Sequence, residues 1–236
     1  MLRDHGEIHA VMAANLAYTA TVSRLLDPAD FGLMAMANLV VLFTQFFAGM
    51  GLAPALVQKP DLSRDEIRAS STAGIAIGLA CLAVVWILAP AIATLFRQPA
   101  VVPVLRALGV SFVFTGWSMT GLGLMRRELR FRTLSLISVG TYGFAYLVVG
   151  VGLALLGAGV WSLVAASVTS TATQAVCRYA FVRHPLRPVL RWEPYREVCS
   201  YGARLSGAYL LDYVGGNVDT FTITRIASAA VLGQYT

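Results

Sequence analysis

The sequence predicts an all-α, polytopic transmembrane helix bundle. Residues 133–177 run for 45 positions without an Asp, Glu, Lys or Arg. As one helix this stretch would be about 68 Å long, whereas the hydrocarbon core of a bilayer is about 30 Å thick, so the chain must cross, turn and cross again. The whole chain is 57% hydrophobic and 13% charged, with a mean hydropathy of +0.69, whereas soluble domains are about 25% charged.

The first predicted span covers residues 8–26. We expect it to be retained and not removed as a signal peptide, because the residues before it carry one Arg against an Asp and a Glu. A tight turn follows, in which Asp27 suits the N-cap, Pro28 the first helical position and Asp30 the positive end of the helix dipole. This turn leads into a second span over residues 33–57.

Polar loops and glycine turns delimit the remaining spans. A polar loop over residues 59–68 precedes the third span, in which Gly74 and Gly78 have the spacing that lets helices approach closely. The fourth span ends in the basic run 126–132, and the glycines of Gly157–Gly159 divide the charge-free stretch in two. Spans three to seven are predicted at 69–96, 103–125, the two halves of 133–181, and 198–226.

Basic residues are distributed unevenly between the two predicted membrane faces. Of the 18 Lys and Arg residues, four lie on the face that carries the first turn, Arg204 lies inside the seventh span, and thirteen share the face of the N-terminus. Those thirteen are Arg3, Lys59, Arg64, Arg68, Arg126, Arg127, Arg130, Arg132, Arg178, Arg183, Arg187, Arg191 and Arg196. Cytoplasmic loops are enriched in Lys and Arg, so we expect a cytoplasmic N-terminus. The basic charge is therefore a topology signal that also favours membrane lipid headgroups, and nucleic acid is not an expected partner.

The cysteines and histidines show no spacing typical of a disulfide framework or a metal site. We therefore expect no metal and no cofactor, with the cysteines serving as small packing residues. The residues concerned are Cys81, Cys177, Cys199, His5, His9 and His184.

The end of the chain resembles its beginning. Residues 23–32 align with residues 224–233 at an offset of 201, with Arg24 and Arg225 in matching positions. Each Arg ends an odd-numbered span, so the repeat unit is six helices and the repeats are parallel. We therefore expect a first six-helix lobe with its following cytoplasmic loop at 1–197 and the start of a truncated second lobe at 198–236.

Several strings, in order along the chain, resemble those of bacterial polysaccharide-unit flippases. These are the oligosaccharide flippase branch of the multidrug/oligosaccharidyl-lipid/polysaccharide exporter superfamily. The similar segments are Ser23–Ala37, Gly49–Gln58, Leu124–Arg132, Gly157–Val164 and Asn217–Arg225.

This resemblance implies a two-lobed bundle around a central cavity in the bacterial inner membrane. The implied activity is movement of an oligosaccharide linked to polyprenyl pyrophosphate from the inner to the outer leaflet, for surface polysaccharide or lipopolysaccharide biosynthesis. A polysaccharide polymerase machinery is the implied protein partner. A polar cavity with cations for the phosphates would lower the cost of moving charge and hydroxyls through hydrocarbon.

Ionisable residues inside spans are the first candidates for the site, since each is costly to insert. The seventh span carries Arg204, Asp212 and Asp219, and the two aspartates share one helix face. The functional interpretation is that Arg204 meets lipid phosphate and the aspartates bind a coupling cation or sugar hydroxyls, with Tyr209 and Asn217 as companions. The alternative is that Arg204 reaches the cytoplasmic surface and Asp219 caps near the outer interface.

Polar residues of the first span could face the same cavity. Asn15 and Thr19 lie on one face of this helix, where interhelical hydrogen bonding is the alternative. Arg24 and Arg225 lie at corresponding outer ends and could contact phosphate on release, with interfacial anchoring as the alternative.

Enzyme functions find little support in the sequence. A membrane polymerase or ligase needs a clustered acid/base or metal set, and no catalytic set is expected here. A cation-coupled drug antiporter of the same superfamily is the other open alternative, since fold analogy alone does not fix the substrate.

Overall fold

The computed structural model describes residues 18, 21–48, 51–185, 188–189, 191–197, 199–200 and 202. In chain order its helices are α1 (Pro28–Ala48), α2 (Leu52–Gln58), α3 (Arg64–Phe96), α4 (Val101–Arg127), α5 (Phe131–Tyr142), α6 (Val151–Leu155) and α7 (Val160–Val182). A π-helical segment, Gly143–Gly150, joins α5 to α6. This described part of the chain contains no strand, so the predicted all-α class is confirmed.

Three of these helical stretches are long and apolar enough to cross a membrane. They are Arg64–Phe96, Val101–Arg127 and the continuous stretch Phe131–Leu155. The protein is therefore a multi-pass membrane protein. Most of the predicted first span and nearly all of the seventh lie outside the described residues.

The prediction of one continuous second span is wrong. Its helix begins at Pro28, as the turn predicts, but α1 ends at Ala48 and α2 begins at Leu52. Gly51 between them has a φ of 70°, a conformation that favours glycine. A Cβ on Gly51 would overlap the backbone of Gly202, so the break is formed where two distant parts of the backbone touch.

The predicted loop 59–68 is also too long, because α3 begins at Arg64. The Ser63 hydroxyl accepts a hydrogen bond from the Glu66 backbone N–H at 3.2 Å. The Glu66 carboxylate in turn accepts one from the Ser63 N–H at 2.8 Å. This capping box satisfies backbone donors at the start of α3 and sets the first helical residue.

The close pair α3 and α4 forms the centre of the bundle. A Cβ on Gly74 would overlap the carbonyl oxygen of Gly116, and one on Gly78 would overlap that of Phe112. The predicted close approach at these two glycines is therefore confirmed. The main apolar core lies beside this contact and contains Ala37, Val41, Val85, Ala89, Val101, Val104, Leu105, Leu108, Phe112, Val160 and Val164.

Three interhelical segments meet at one end of the bundle. Lys59 forms ion pairs with Glu66 at the start of α3 and with Glu197 in the segment after α7. Arg127 at the end of α4 donates hydrogen bonds to the backbone carbonyls of Leu56, at 3.0 Å, and of Lys59. The charge distribution predicts that these segments share a face; that this face is cytoplasmic stays a prediction.

The opposite end holds the start of α1 and the turn before α7. Gly157 and Gly159 have φ values of 75° and 54°, which confirms the predicted glycine turn. A Cβ on Gly159 would lie 3.2 Å from the nearer carboxylate oxygen of Asp30. The first turn and the last hairpin of the described bundle therefore pack against each other.

Candidate functional site

Most of the predicted site residues fall outside the described part of the chain. Those residues are Asn15, Thr19, Arg204, Tyr209, Asp212, Asn217, Asp219 and Arg225. Arg24 is described, and it is exposed in the turn that precedes α1. Its predicted role in phosphate release stays a prediction.

A different arginine occupies the interior of the bundle. The predicted sixth span runs to residue 181, but the charge count grouped Arg178 with the basic residues of the N-terminal face. The structure places Arg178 inside α7, which extends to Val182. Only 9% of Arg178 is exposed. The charge-free stretch stops immediately before it, so Arg178 lies near the end of the predicted span. The apolar residues Ala180–Val182 that follow continue the helix past Arg178, but they do not show that its side chain is buried.

Neutral groups hold the Arg178 side chain. One terminal nitrogen (Nη1) donates a hydrogen bond to the Ser118 hydroxyl at 3.1 Å, and the other (Nη2) donates to the Gln174 side-chain oxygen at 2.8 Å. Its Nε is buried and has no partner among the described residues. Ser118 belongs to α4 and Gln174 to α7, so two helices fix the guanidinium.

The charge of Arg178 is left uncompensated within the described structure. No carboxylate there forms an ion pair with it. The charged neighbour that acts on it is another cation, Arg126. Gly121 lets α4 approach closely here, because a Cβ on it would lie 3.1 Å from the Cβ of Arg178. A buried guanidinium with free donor capacity is a strong binding group for phosphate or carboxylate.

Arg178 faces a polar cavity between three helices. This inner cavity has a volume of about 240 Å³ and is lined by Gln45, Thr115, Ser118, Met119, Leu122, Thr171, Gln174 and Arg178. On α7 the spacing Thr171, Gln174 and Arg178 places three polar side chains on one helix face. The inner cavity can therefore surround an anionic group with hydroxyl and amide side chains.

A second cavity lies nearer the opposite end of the bundle. This outer cavity measures about 300 Å³ and is lined by Tyr18, Phe31, Met34, Ala35, Asn38, Tyr146 and Leu163. The rings of Tyr18 and Tyr146 meet edge to face with centroids 5.0 Å apart. The rings of Tyr146 and Tyr142 stack at 4.3 Å. Asn38 and Gln45 are seven residues apart, so the two cavities share a face of α1 and lie about 10 Å apart along it.

An apolar groove runs between α5 and α7. It measures about 480 Å³ and is lined by Thr133, Leu136, Ile137, Gly140, Thr141, Phe144, Thr173, Cys177 and Phe181. Cys177 lines this groove and the next residue, Arg178, lines the inner cavity. An apolar surface and a buried cation therefore lie on neighbouring faces of one helix.

The described residues contain no group of three His, Cys, Asp or Glu side chains close enough together to hold a metal ion. The three cysteines are free thiols, with Cys199 exposed and the other two half-buried.

Comparison with known families decides what this bundle belongs to. The family model described as polysaccharide biosynthesis protein matches residues 21–236. The chain belongs to the polysaccharide biosynthesis protein family. The resemblance seen in the ordered sequence strings is thereby confirmed at the level of the family.

Curated relatives in this family carry names from surface polysaccharide biosynthesis. The lipopolysaccharide biosynthesis protein WzxC of Escherichia coli K12 is 21% identical over 231 residues, covering 95% of this chain and 46% of that protein. The succinoglycan biosynthesis transport protein ExoT of Rhizobium meliloti is 26% identical, covering 91% and 43%. The teichuronic acid biosynthesis protein TuaB of Bacillus subtilis is 23% identical, covering 82% and 40%.

The chain spans a little under half the length of these family members. No solved structure shows a significant match to it.

Proposed function

We propose that this protein takes part in moving a lipid-linked oligosaccharide from the inner to the outer leaflet of a bacterial inner membrane. The observation that carries the proposal is the buried Arg178, whose charge has no carboxylate partner in the described structure and faces a polar cavity. The names of the curated relatives, among them a succinoglycan biosynthesis transport protein, support a transport role in polysaccharide biosynthesis.

The substrate's diphosphate explains why a transporter would keep this cation. Moving phosphate charge through hydrocarbon without a partner is prohibitively costly. The Arg178 guanidinium is held by Ser118 and Gln174 and keeps one unpartnered N–H at Nε. An anionic oxygen entering the inner cavity beside the guanidinium would neutralise its charge.

The lipid tail of such a substrate needs a different surface. The groove between α5 and α7 is apolar and includes Cys177, the neighbour of Arg178 in sequence. In the proposal, the polyprenyl chain stays among apolar side chains like these while the diphosphate reaches the polar cavity. The two faces of α7 thereby separate the two halves of an amphiphilic substrate.

The alternatives require different chemistry. A drug antiporter for cations would place its substrate beside Arg178, which repels positive charge and has no carboxylate partner in the described residues. A polymerase or ligase would form a glycosidic bond. In our proposal the protein forms and breaks no bond, and it delivers its cargo to a polymerase machinery on the far side.

We further propose that residues 1–197 form one lobe and that residues from 198 begin a second. The observations behind this are the repeat at residues 23–32 and 224–233 and the length of the relatives. Arg204, Asp212 and Asp219 would then line the second wall of the shared cavity, and their roles as phosphate, cation or sugar ligands are part of the proposal.

Replacing Arg178→Gln in the protein as expressed from its own gene tests the function. Glutamine keeps a hydrogen-bonding group but removes the charge, so we expect lipid-linked units to accumulate in the inner leaflet. Surface polysaccharide should fall about tenfold, equivalent to about 1.4 kcal/mol of lost substrate binding. Arg178→Lys should retain part of the export. Arg132→Gln is the matched control, since Arg132 is exposed.

Three outcomes would contradict these proposals. Normal export by the Arg178→Gln variant would show that Arg178 is not needed to bind an anionic group of the substrate. If lipid-linked units reached the outer leaflet but were not joined to one another, the protein would be a polymerase or ligase and not a transporter. In the same assay, full export from residues 1–236 without a co-expressed second half would contradict the two-lobe arrangement.

A further inference from the structure

The outer cavity contains a polar group that packing leaves unsatisfied. Tyr18 is 7% exposed, and its hydroxyl is buried without a hydrogen-bond partner among the described residues. A buried tyrosine hydroxyl usually finds a partner, and leaving one unpaired is unfavourable. Tyr18 lines the outer cavity together with Asn38. The hydroxyl oxygen itself lies 3.5 Å from a Cβ placed on Gly150, so a ligand hydroxyl would supply the missing partner by reaching it from the cavity side of the ring.

The tyrosine rings around this cavity are held in place by close contacts. A Cβ on Gly150 would lie 3.1 Å from the Tyr18 ring and 3.1 Å from the Cβ of Ala166, so the glycine leaves room for the ring. Tyr146 packs edge to face on Tyr18, with an angle of 81° between the rings. Tyr146 belongs to the π-helical segment, a helix type that is frequent at functional sites. Aromatic side chains fixed in this way form a ready-made binding surface.

The cavity's lining matches the chemistry of a sugar. A pyranose ring presents apolar C–H groups on its faces and hydroxyl groups around its rim. Aromatic rings suit the faces, because they offer a large apolar surface with a polar tip. The Tyr18 hydroxyl and the Asn38 amide suit the rim, since both donate and accept hydrogen bonds. The remaining lining residues, Phe31, Met34, Ala35 and Leu163, are apolar.

The position of the cavity relative to Arg178 fits a substrate with two different parts. The inner cavity contains the cation, the outer cavity contains the tyrosines, and the same face of α1 contributes Gln45 to one and Asn38 to the other. An anionic end and a saccharide end of one molecule would thus find complementary surfaces at successive depths of the bundle.

We propose that the outer cavity is a saccharide-binding subsite, in which Tyr18 and Asn38 bind sugar hydroxyls and the rings of Tyr18 and Tyr146 contact a sugar face. This rests on the proposed function, because it names the part of a lipid-linked oligosaccharide that is recognised away from Arg178. Sugar recognition then resides in the outer cavity and diphosphate recognition in the inner cavity.

Binding of two lipids to the full protein in nanodiscs tests the subsite. One probe is undecaprenyl diphosphate without sugar, and the other is the lipid-linked repeat unit extracted from the same bacterium. Tyr18→Phe and Asn38→Ala should each weaken binding of the repeat unit about tenfold, the upper range for one lost hydrogen bond. Binding of the sugar-free lipid should not change. Arg178→Gln should weaken both lipids.

Tyr179→Phe is the matched control, because Tyr179 packs on Trp117 at 5.6 Å and does not line the outer cavity. If the two variants weaken both lipids equally, their role is structural and the subsite is refuted. If neither variant changes binding of the repeat unit, or the wild type binds both lipids equally, the subsite is also refuted while the proposed function stands. If the wild type binds neither lipid, the proposed function itself fails.

Discussion

Lys59 joins two carboxylates that differ in exposure. The Glu66 side chain is 8% exposed and the Glu197 side chain 58%. Hydrogen bonds to Glu197 and Glu66 raise the pKa of Lys59. Its stabilising contribution is therefore present below the unfolded pKa of about 10.4 and is lost as pH rises through the higher folded value. At neutral pH, well below this value, Lys59 carries its charge.

Replacing Lys59→Met should destabilise the protein more than Glu197→Gln does. The first change leaves a buried carboxylate without its cation and should cost about 2 kcal/mol, less than the roughly 3–5 for a fully buried pair. The second removes an exposed partner and should cost about 1 kcal/mol or less. Thermal unfolding in detergent compares the two, and equal losses would show that Glu66 does not depend on Lys59.

Only part of the candidate site could be predicted from the sequence at the level of single residues. The search for charges inside spans selected Arg204, Asp212 and Asp219, which lie outside the described residues. The same search did not select Arg178, because it lies near the end of the predicted sixth span and was grouped with the basic residues of the N-terminal face. What distinguishes it is its contact with Ser118, a residue on another helix. Such contacts between sequence-distant residues are not encoded in local pattern.

Helix α3 and helix α4 depend on each other through glycine. Gly74 and Gly116 are each so close to the other's carbonyl oxygen that neither position has space for a Cβ. Gly140, in the interior of α5, has no atom within 4 Å of a Cβ placed on it. These two environments predict opposite results for the same substitution.

Replacing Gly74→Ala should push α3 and α4 apart and cost about 1–3 kcal/mol, the usual range for overpacking. Gly140→Ala is the control, and it should be neutral or stabilising by up to about 1 kcal/mol because alanine favours helix. Thermal unfolding or proteolysis in detergent measures both. A stable Gly74→Ala protein would show that the helices can separate without loss.

Some helix boundaries are determined by the local sequence, and others by tertiary contacts. Pro28 and Gly157–Gly159 act through backbone conformation, and the structure places the helix start and the turn where the sequence predicts them. The start of α3 is also determined by the local sequence, through Ser63 and Glu66. The sequence pattern places it too late because the charged run beside these residues is typical of a loop. The break at Gly51 lies against the backbone of Gly202, a contact distant in sequence, so the apolar sequence around Gly51 alone predicts an unbroken helix.

The described bundle has two chemically different ends. One carries Lys59, Arg127 and the segment after α7, and the other carries Asp30 beside Gly159. Because positively charged loops stay in the cytoplasm, we expect the first end, and the N-terminus with it, to face inward.

Reporter fusions test this orientation. A fusion within Gly157–Gly159 should be active only as a periplasmic reporter, and one at Arg191 only as a cytoplasmic reporter. Fusions at Arg97 and Arg127 provide a second pair with the same expectation. If the reporters at both pairs showed the opposite locations, the predicted orientation would be wrong. If the two fusions of a pair showed the same location, the helix between them would not cross the membrane.

Tyr195 packs against the cluster of Leu52 and Ala73, as do Ile77 and Met119, although Tyr195 follows all of them in the chain by a whole helix or more. During synthesis, α2, α3 and α4 are made before this tyrosine has left the ribosome. The end that these helices share therefore stays uncovered until the segment after α7 is made. Until then Glu66 also lacks one member of its charge cluster. The order of translation thus makes this end the last part of the described bundle to close.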